Sequence, residues 1–315
     1  MSAITITSTE QWLALRQQHI CGSEIAPMLG ESERMTPFEL FLLKSGMLEA
    51  PDYSDNEYVF WGQCLEPAIA RGVELKTGWK VEKANVFYSD LPDCPLGGTP
   101  DYFIEDPERG LGVLEIKNVE SFMWKRWGNE MPLSFQLQPQ IYCGLSGCSW
   151  ALTAALIGGN RLELVMHEAR PRTMEIVRER VSAFWQAIVD NKPPAADYTR
   201  DADAIARLHR SVEAGKVIDM SESNRLPELC AEYQRAAAAK GVEDKARKAA
   251  QAEILTIIGD AETVICGDLT IKAAEVRGVP DRIISQADVG TIIKGRSGYR
   301  GLHVSKRKTK EQVAA

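Results

Sequence analysis

Cysteines at metal-ligand spacing are what the chain most plainly lacks. Its seven cysteines (Cys21, Cys64, Cys94, Cys143, Cys148, Cys230 and Cys266) are scattered and odd in number. None forms a Cys-x-x-Cys pair, and only four histidines could assist them. This argues against a zinc or iron–sulfur site and against a disulfide framework. The opening stretch, MSAITITSTEQW, has no basic region leading into an apolar one, so no signal peptide is expected. No apolar run is long enough to span a bilayer, and a reducing cytoplasm is the expected setting. Gly-x-Gly-x-x-Gly opening a helix is missing, as is a Walker loop, so a nucleotide-binding doubly wound fold is not expected. Excess positive charge is missing too. The net charge is −7, which argues against a protein that coats nucleic acid by bulk attraction.

The 315 residues exceed one ordinary core. Lys192-Pro193-Pro194 stops a helix and precedes a shift to polar, weakly periodic sequence. The chain is therefore divided into residues 1–194 and 195–315. In the first part, Ser8 to Gln11 reads as a capping box opening a helix. Thr36-Pro37 with Glu39 starts a second helix, closed by Gly46. Asn56 to Lys76 is a longer helix stopped by Gly78, and Trp79–Tyr88 is expected to be a strand. Tyr102–Ile104 and Gly112–Ile116 read as strands joined across the turn residues Asp106–Gly110. Ser134–Leu145 is expected to be helical, with a hairpin around Gly158-Gly159-Asn160 after it. Arg172–Asn191 carries Ile176, Val177, Val181, Phe184, Trp185 and Ile188 on one apolar face. In the second part, Leu226–Ile258 reads as one or two exposed helices, and Ala261–Ala273 as a strand or hairpin around Gly267-Asp268. From Gly290 to Lys310 lie seven basic residues and no acidic one (Lys294, Arg296, Arg300, Lys306, Arg307, Lys308, Lys310). They read either as a solvated tail or as contacts to phosphate.

One stretch places polar chemistry where a buried sheet should be: GGTPDYFIEDPERGLGVLEIKN, Gly97 to Asn118. Side chains alternate along a strand, so Glu115 and Lys117 share one face and Leu114 and Ile116 the other. If the two strands pair as a hairpin, Asp101 approaches Glu115. Carboxylates brought together repel, and a hard divalent cation relieves the repulsion. The carbonyl of Ile116 is a further candidate ligand, and Lys117 would face a water held by such a cation. This chemistry suits phosphodiester hydrolysis.

Pro100-Asp101 followed by Glu115-Ile116-Lys117 resembles the PD-(D/E)xK nuclease signature. The chain more narrowly resembles the YqaJ-like phage recombinases, the family that includes lambda exonuclease. CGSEIAPMLGESERMTPFELFLLKSG is similar to that family's N-terminal motif, and WGQCLEPAIARGVELKTG to its second. QLQPQIYCGLSG is similar to its glutamine motif. With the nuclease signature, four motifs occur in family order between Arg16 and Trp150. One departure is Asn118-Val119 after the lysine, where the family has a Cys-Pro-like step.

The resemblance implies an α/β PD-(D/E)xK core, a mixed sheet flanked by helices, with a C-terminal helical and small β extension. It implies metal binding by Asp101, Glu115 and the Ile116 carbonyl, catalysis by Lys117, and a further acid at Glu66. Arg16, Ser23, Thr99 and Gln138 would hold a terminal 5′-phosphate. Gln140 completes the Gln-x-Gln pair, with Gln136 offering a rival register. The implied activity is a Mg²⁺-dependent (or Mn²⁺-dependent) 5′-to-3′ exonuclease on double-stranded DNA ends. It would leave a 3′ single strand for an annealing protein, and a homotrimer is expected from the same source. Two other readings stay open: an endonuclease of the same fold, and a noncatalytic DNA-end binding protein. A Cas4-like nuclease would need the cysteine cluster that is missing.

Overall fold

The structure is a computed structural model and describes residues 1–53, 55–128, 130–238, 244–276, 282–283, 292–293 and 298–306. The chain divides into two compact units, Met1–Pro194 and Ala195–Ala315.

The N-terminal unit runs β1 (Ser2–Thr5), α1 (Thr9–Gln17), β2 (Ile20–Cys21), a 3-10 turn (Gly22–Glu24), α2 (Ile25–Leu29), α3 (Pro37–Lys44) and α4 (Glu57–Thr77). It continues through β3 (Lys80–Lys83), β4 (Val86–Ser89), β5 (Leu96–Gly98), β6 (Tyr102–Asp106) and β7 (Gly110–Val119). After α5 (Ser121–Arg126) and α6 (Leu133–Ser146) it closes with β8 (Trp150–Ile157), β9 (Arg161–Glu168) and α7 (Pro171–Val189). The helix starts follow local chemistry. Ser8 Oγ accepts from the Gln11 N–H at 3.1 Å, while the Gln11 side chain accepts from the Thr7 N–H, one residue before the cap. Thr36 accepts from the Glu39 N–H at 3.0 Å, with Pro37 in the first turn of α3. Asn56 caps α4, and Gly78 ends it in the left-handed conformation.

A five-stranded mixed sheet, ordered β3-β6-β7-β8-β9, forms the centre. The β6/β7 hairpin is antiparallel and β7/β8 is parallel. Parallel neighbours need a crossover, and α5 and α6 supply it. One sheet face packs Tyr102, Ile104, Leu114, Ile116 and Leu152 against Ile69, Ala70 and Val73 of α4. The other packs Val113 and Ala151 against Tyr142 and Cys143 of α6. Both faces of β7 and β8 are covered, so these strands read as near-continuous apolar runs. The expected mixed sheet flanked by helices is present. The expected single strand Trp79–Tyr88 is not. It breaks at Ala84-Asn85 into β3, on the edge of the central sheet, and β4, in a second sheet ordered β1-β4-β5-β2. The buried line of α7 is Met174, Val177, Val181 and Phe184, whereas Ile176 is exposed. The true stripe starts two residues earlier than expected because Met174 packs inward.

The C-terminal unit contains α8 (Ala202–Leu208), β10 (Glu213–Asp219), α9 (Arg225–Ala238), α10 (Asp244–Ile258), β11 (Ala261–Cys266) and β12 (Leu269–Lys272). Short strands follow: β13 (Glu275–Val276), β14 (Arg282–Ile283), β15 (Ile292–Ile293), β16 (Tyr299–Arg300) and β17 (His303–Lys306). Its main sheet is ordered β10-β11-β12-β17, with the β11/β12 hairpin turning at Gly267-Asp268. Two helices fall across 226–258 as expected, but one face of each is buried rather than exposed. Leu226, Leu229, Cys230, Ile254, Leu255 and Ile258 form one core with Val264, Cys266 and Ile271 of the sheet. Abundant alanine and charge hide a narrow apolar stripe on each helix. Arg300 is also not a tail residue. It is 3% exposed, and its guanidinium donates to the carbonyls of Ala273 (2.7 Å), His209 (3.3 Å), Gly259 and Ala261. Lys294, Arg296, Arg307, Lys308 and Lys310 lie outside the described residues, as does the side chain of Lys306.

Candidate active site

The β6/β7 register pairs Tyr102 with Leu114. One step further along that register sets Asp101 opposite Glu115, so the hairpin brings the two acids together. Asp101 Oδ2 accepts from the Ile116 N–H at 2.8 Å. A strand residue directs its N–H and C=O to the same edge, so the Ile116 carbonyl also faces the side where Asp101 stands and the β6 pairing has ended. Lys117 follows Glu115 on the same face. Its Nζ donates to Glu115 Oε1 at 2.7 Å and to Gln138 Oε1 at 3.0 Å. Gln138 comes from α6, which covers this face. Gln136 instead donates to the Met131 carbonyl.

Glu115 is 1% exposed, and no N–H or hydroxyl among the described residues donates to its Oε2, whose carboxyl neighbour is Asp101. Burial, with the Asp101 charge added, pushes its carboxyl up to about 8. Asp101 is raised by burial as well. Burial opposes the charge on Lys117, but the Glu115 and Asp101 carboxylates outweigh it and hold the ammonium above its usual range. A buried acceptor left unmet beside a second acid is costly, and it is the feature a bound cation would relieve. Among the described residues, no three His, Cys, Asp or Glu side chains converge on one point. The donor set is therefore two carboxylates and a backbone carbonyl, hard oxygens that fit Mg²⁺ or Mn²⁺ with water completing the shell. Glu66 does not join them. On α4, it is ion-paired with Lys83 of β3, whose ammonium sits 4.6 Å from the Tyr102 ring centroid.

The phosphate candidates are spread over several elements. Arg16, at the end of α1, is ion-paired with Glu24 at 3.2 Å and lies 3.5 Å from Ser23 Oγ. Its guanidinium stacks over Trp12 at 4.8 Å. Thr99 Oγ1 is buried without a partner, on the lining of a cavity of about 580 Å³ that also touches Asp101, Glu66 and Lys83. Gln140 is placed elsewhere. Its amide donates to the Glu168 carbonyl (2.9 Å) and accepts from the Arg170 N–H (2.8 Å), so it ties α6 to the end of β9. Both ends of the amide bond backbone in this arrangement.

Three residues were missed. Tyr142, one helical turn after Gln138, is buried with its hydroxyl 3.5 Å from the Gln138 amide. Burial first, then the charges of Glu115 and Asp101, keep it a phenol. Its ring explains two motif glycines: a Cβ on Gly22 would lie 3.0 Å from it and one on Gly98 2.8 Å, and Gly98 also has φ +151°. Glu24 accepts from the Cys21 N–H and binds both Arg16 and Lys44. Lys44, buried on α3, further donates to the carbonyls of Arg16 and His19, each at 2.7 Å. All three lie inside the quoted motifs. A buried lysine at the end of an apolar helix is the signal that could have found Lys44.

Residues 11–149 match the family model of the YqaJ-like viral recombinase domain. The protein YqaJ of Bacillus subtilis (strain 168) is 28% identical over 223 residues, 69% of this chain and 69% of that protein. That stretch exceeds the 194 residues of the N-terminal unit, so part of the C-terminal unit is shared. Among solved structures, the chain is similar to an alkaline exonuclease (LHK-Exo) from Laribacter hongkongensis, at 17% identity and TM-score 0.47, over 58% of this chain and 94% of that one. It is also similar to a phage related exonuclease from Haemophilus somnus 129PT, at 14% identity and TM-score 0.42, over 55% and 96%. The segment that carries Asp101, Glu115, Lys117 and Gln138 is thus the segment that matches the model of the YqaJ-like viral recombinase domain.

Proposed function

We propose that the protein is a divalent-metal-dependent deoxyribonuclease that degrades double-stranded DNA from its 5′ ends and leaves 3′ single strands. The match of residues 11–149 to the YqaJ-like viral recombinase domain supports the DNA substrate. The observation that carries the reading is the buried pair Asp101–Glu115, with one Glu115 oxygen unpartnered and Lys117 hydrogen-bonded beside it. In this reading Asp101, Glu115 and the Ile116 carbonyl hold Mg²⁺ or Mn²⁺. A cation held there lowers the pKa of a bound water and offsets charge on the reacting phosphate.

The chain's own groups do the rest. Asp101 is fixed by the Ile116 N–H, so its carboxylate has a set direction. Lys117 is held between Glu115 and Gln138. In that position it orients a water for in-line attack and neutralises charge developing on a non-bridging oxygen. Arg16 and Ser23, with the Thr99 hydroxyl and the Gln138 amide, hold the terminal 5′-phosphate. Arginine suits this because its planar fork bonds two oxygens at once. Each cut regenerates a 5′-phosphate, which is what successive cuts along one strand require. The 3′ strand produced suits a single-strand annealing protein as partner, and a homotrimer closed around DNA is the assembly that belongs with this reading.

The test is digestion of end-labelled linear duplexes, with and without 5′-phosphate, beside a closed circle, in Mg²⁺ and in chelator. Mononucleotides released from 5′-phosphorylated ends only in Mg²⁺, with the circle untouched, are expected. Cutting of the circle would replace this reading with an endonuclease. Binding without cutting would replace it with an end-binding protein.

A further inference from the structure

Resting on the reading of Asp101 and Glu115 as metal ligands, we propose that Lys83 is a displaceable counter-ion that withholds Glu66, a carboxylate at the border of the acid site, from the bound cation. Glu66 approaches from α4, on the opposite sheet face from Glu115. Lys83 belongs to the edge strand β3, where it pairs with Tyr102, so its side chain rises on the α4 side. There it meets Glu66 directly. The Tyr102 hydroxyl bonds the same carboxylate, and the Tyr102 ring supports the ammonium at 4.6 Å. Glu66 is thus ion-paired and hydrogen-bonded without any metal. The charges of Glu66 and Lys83 both act on Asp101, so the pair stands at the border of the acid site and lines the same cavity.

The pair is partly exposed, 45% at Lys83 and 25% at Glu66. It is therefore a contact of modest strength that an incoming divalent charge can break. While it stands, the cation site has two carboxylates. When it opens, Glu66 supplies a third, at the expense of the ion pair. Lys83 accordingly sets the affinity for the cation and the readiness with which Glu66 takes part.

Mn²⁺ binding to the full chain without DNA, followed by calorimetry and by electron paramagnetic resonance of the free ion, tests this. Lys83→Met should bind Mn²⁺ at least about threefold more tightly than the parent, since the competing ion pair is gone. Lys83→Arg keeps a cation opposite Glu66 and should match the parent, which also guards against misfolding of the methionine variant. Unchanged or weaker binding by folded Lys83→Met would overturn the inference while leaving Asp101 and Glu115 as ligands. Mn²⁺ binding by the parent that survives Asp101→Ala unaltered would instead overturn the reading of the acid site, and this inference with it.

Discussion

Each unit of the chain buries charge in or beside a mixed sheet, and the two burials differ in what is left over. In the C-terminal unit, Arg300 spends its guanidinium on the carbonyls of Ala273, His209, Gly259 and Ala261. It ties the end of α10 to the start of β11, and its donors are spent on backbone. In the N-terminal unit, Glu115 keeps an oxygen without a partner, beside a second acid and a lysine. The first arrangement stabilises a fold. The second costs stability and holds chemical capacity in reserve. Burial of charge alone does not mark a site; unmet capacity does.

The largest effect expected from breaking this contrast is on activity. Asp101→Ala or Glu115→Ala should reduce Mg²⁺-dependent hydrolysis to background while DNA binding stays measurable, because the metal loses ligands and the groove survives. Substantial cleavage by either variant would refute the assignment. On the structural side, Arg300→Met should destabilise the C-terminal unit by about 3 kcal/mol or more, since several buried carbonyls lose their donor. Hydrogen exchange in β11 and α10 reads this directly, and unchanged protection would return Arg300 to the surface. For the same reason, a truncation after Ile293 would remove Arg300 and β17 and would report on folding rather than on phosphate contacts by the basic tail.

A pH profile sharpens the comparison further. The Glu115 carboxyl rises from the ordinary 4.5 to about 8 in the folded protein. Between those values the unfolded chain has lost a proton that the native state keeps, so metal-free stability falls as pH rises through this window and levels off above it. All seven tryptophans lie in the N-terminal unit, so their fluorescence follows its urea unfolding alone. The midpoint should decline from about pH 4.5 to about pH 8 in the parent and decline less in Glu115→Gln. Parallel profiles would mean that Glu115 is not the titrating group. The smallest effect concerns the DNA end. Arg16→Ala should slow initiation and erase most of the advantage of a 5′-phosphate over a 5′-hydroxyl. If the variant still prefers phosphorylated ends as strongly as the parent, the phosphate is held elsewhere.

Some of this was legible in the residues. Alternation placed Glu115 and Lys117 on one face. Turn chemistry at Asp106–Gly110 set the hairpin that brings Asp101 across, and Ser8, Thr36-Pro37, Asn56 and Gly78 bounded their helices. These are local signals, read within a few residues by backbone sterics and hydrogen bonding. The break at Ala84-Asn85 was not legible, because nothing local says that one extended run will serve two sheets. The apolar stripes of α9 and α10 were hidden by alanine.

By itself, then, the sequence determined the Glu115–Lys117 face of β7, the hairpin that brings Asp101 to it, the helix starts and the family motifs, all through interactions that act over a turn or a hairpin. Only the tertiary structure decided that Gln138 rather than Gln136 reaches Lys117, that Gln140 is spent on backbone, and that Glu66 is held by Lys83. It also decided that Arg300 is a core residue and that Tyr142 presses on Gly22 and Gly98. Each of these depends on which atom of a distant segment arrives within about 3 Å, and packing sets that distance, not the pattern along the chain.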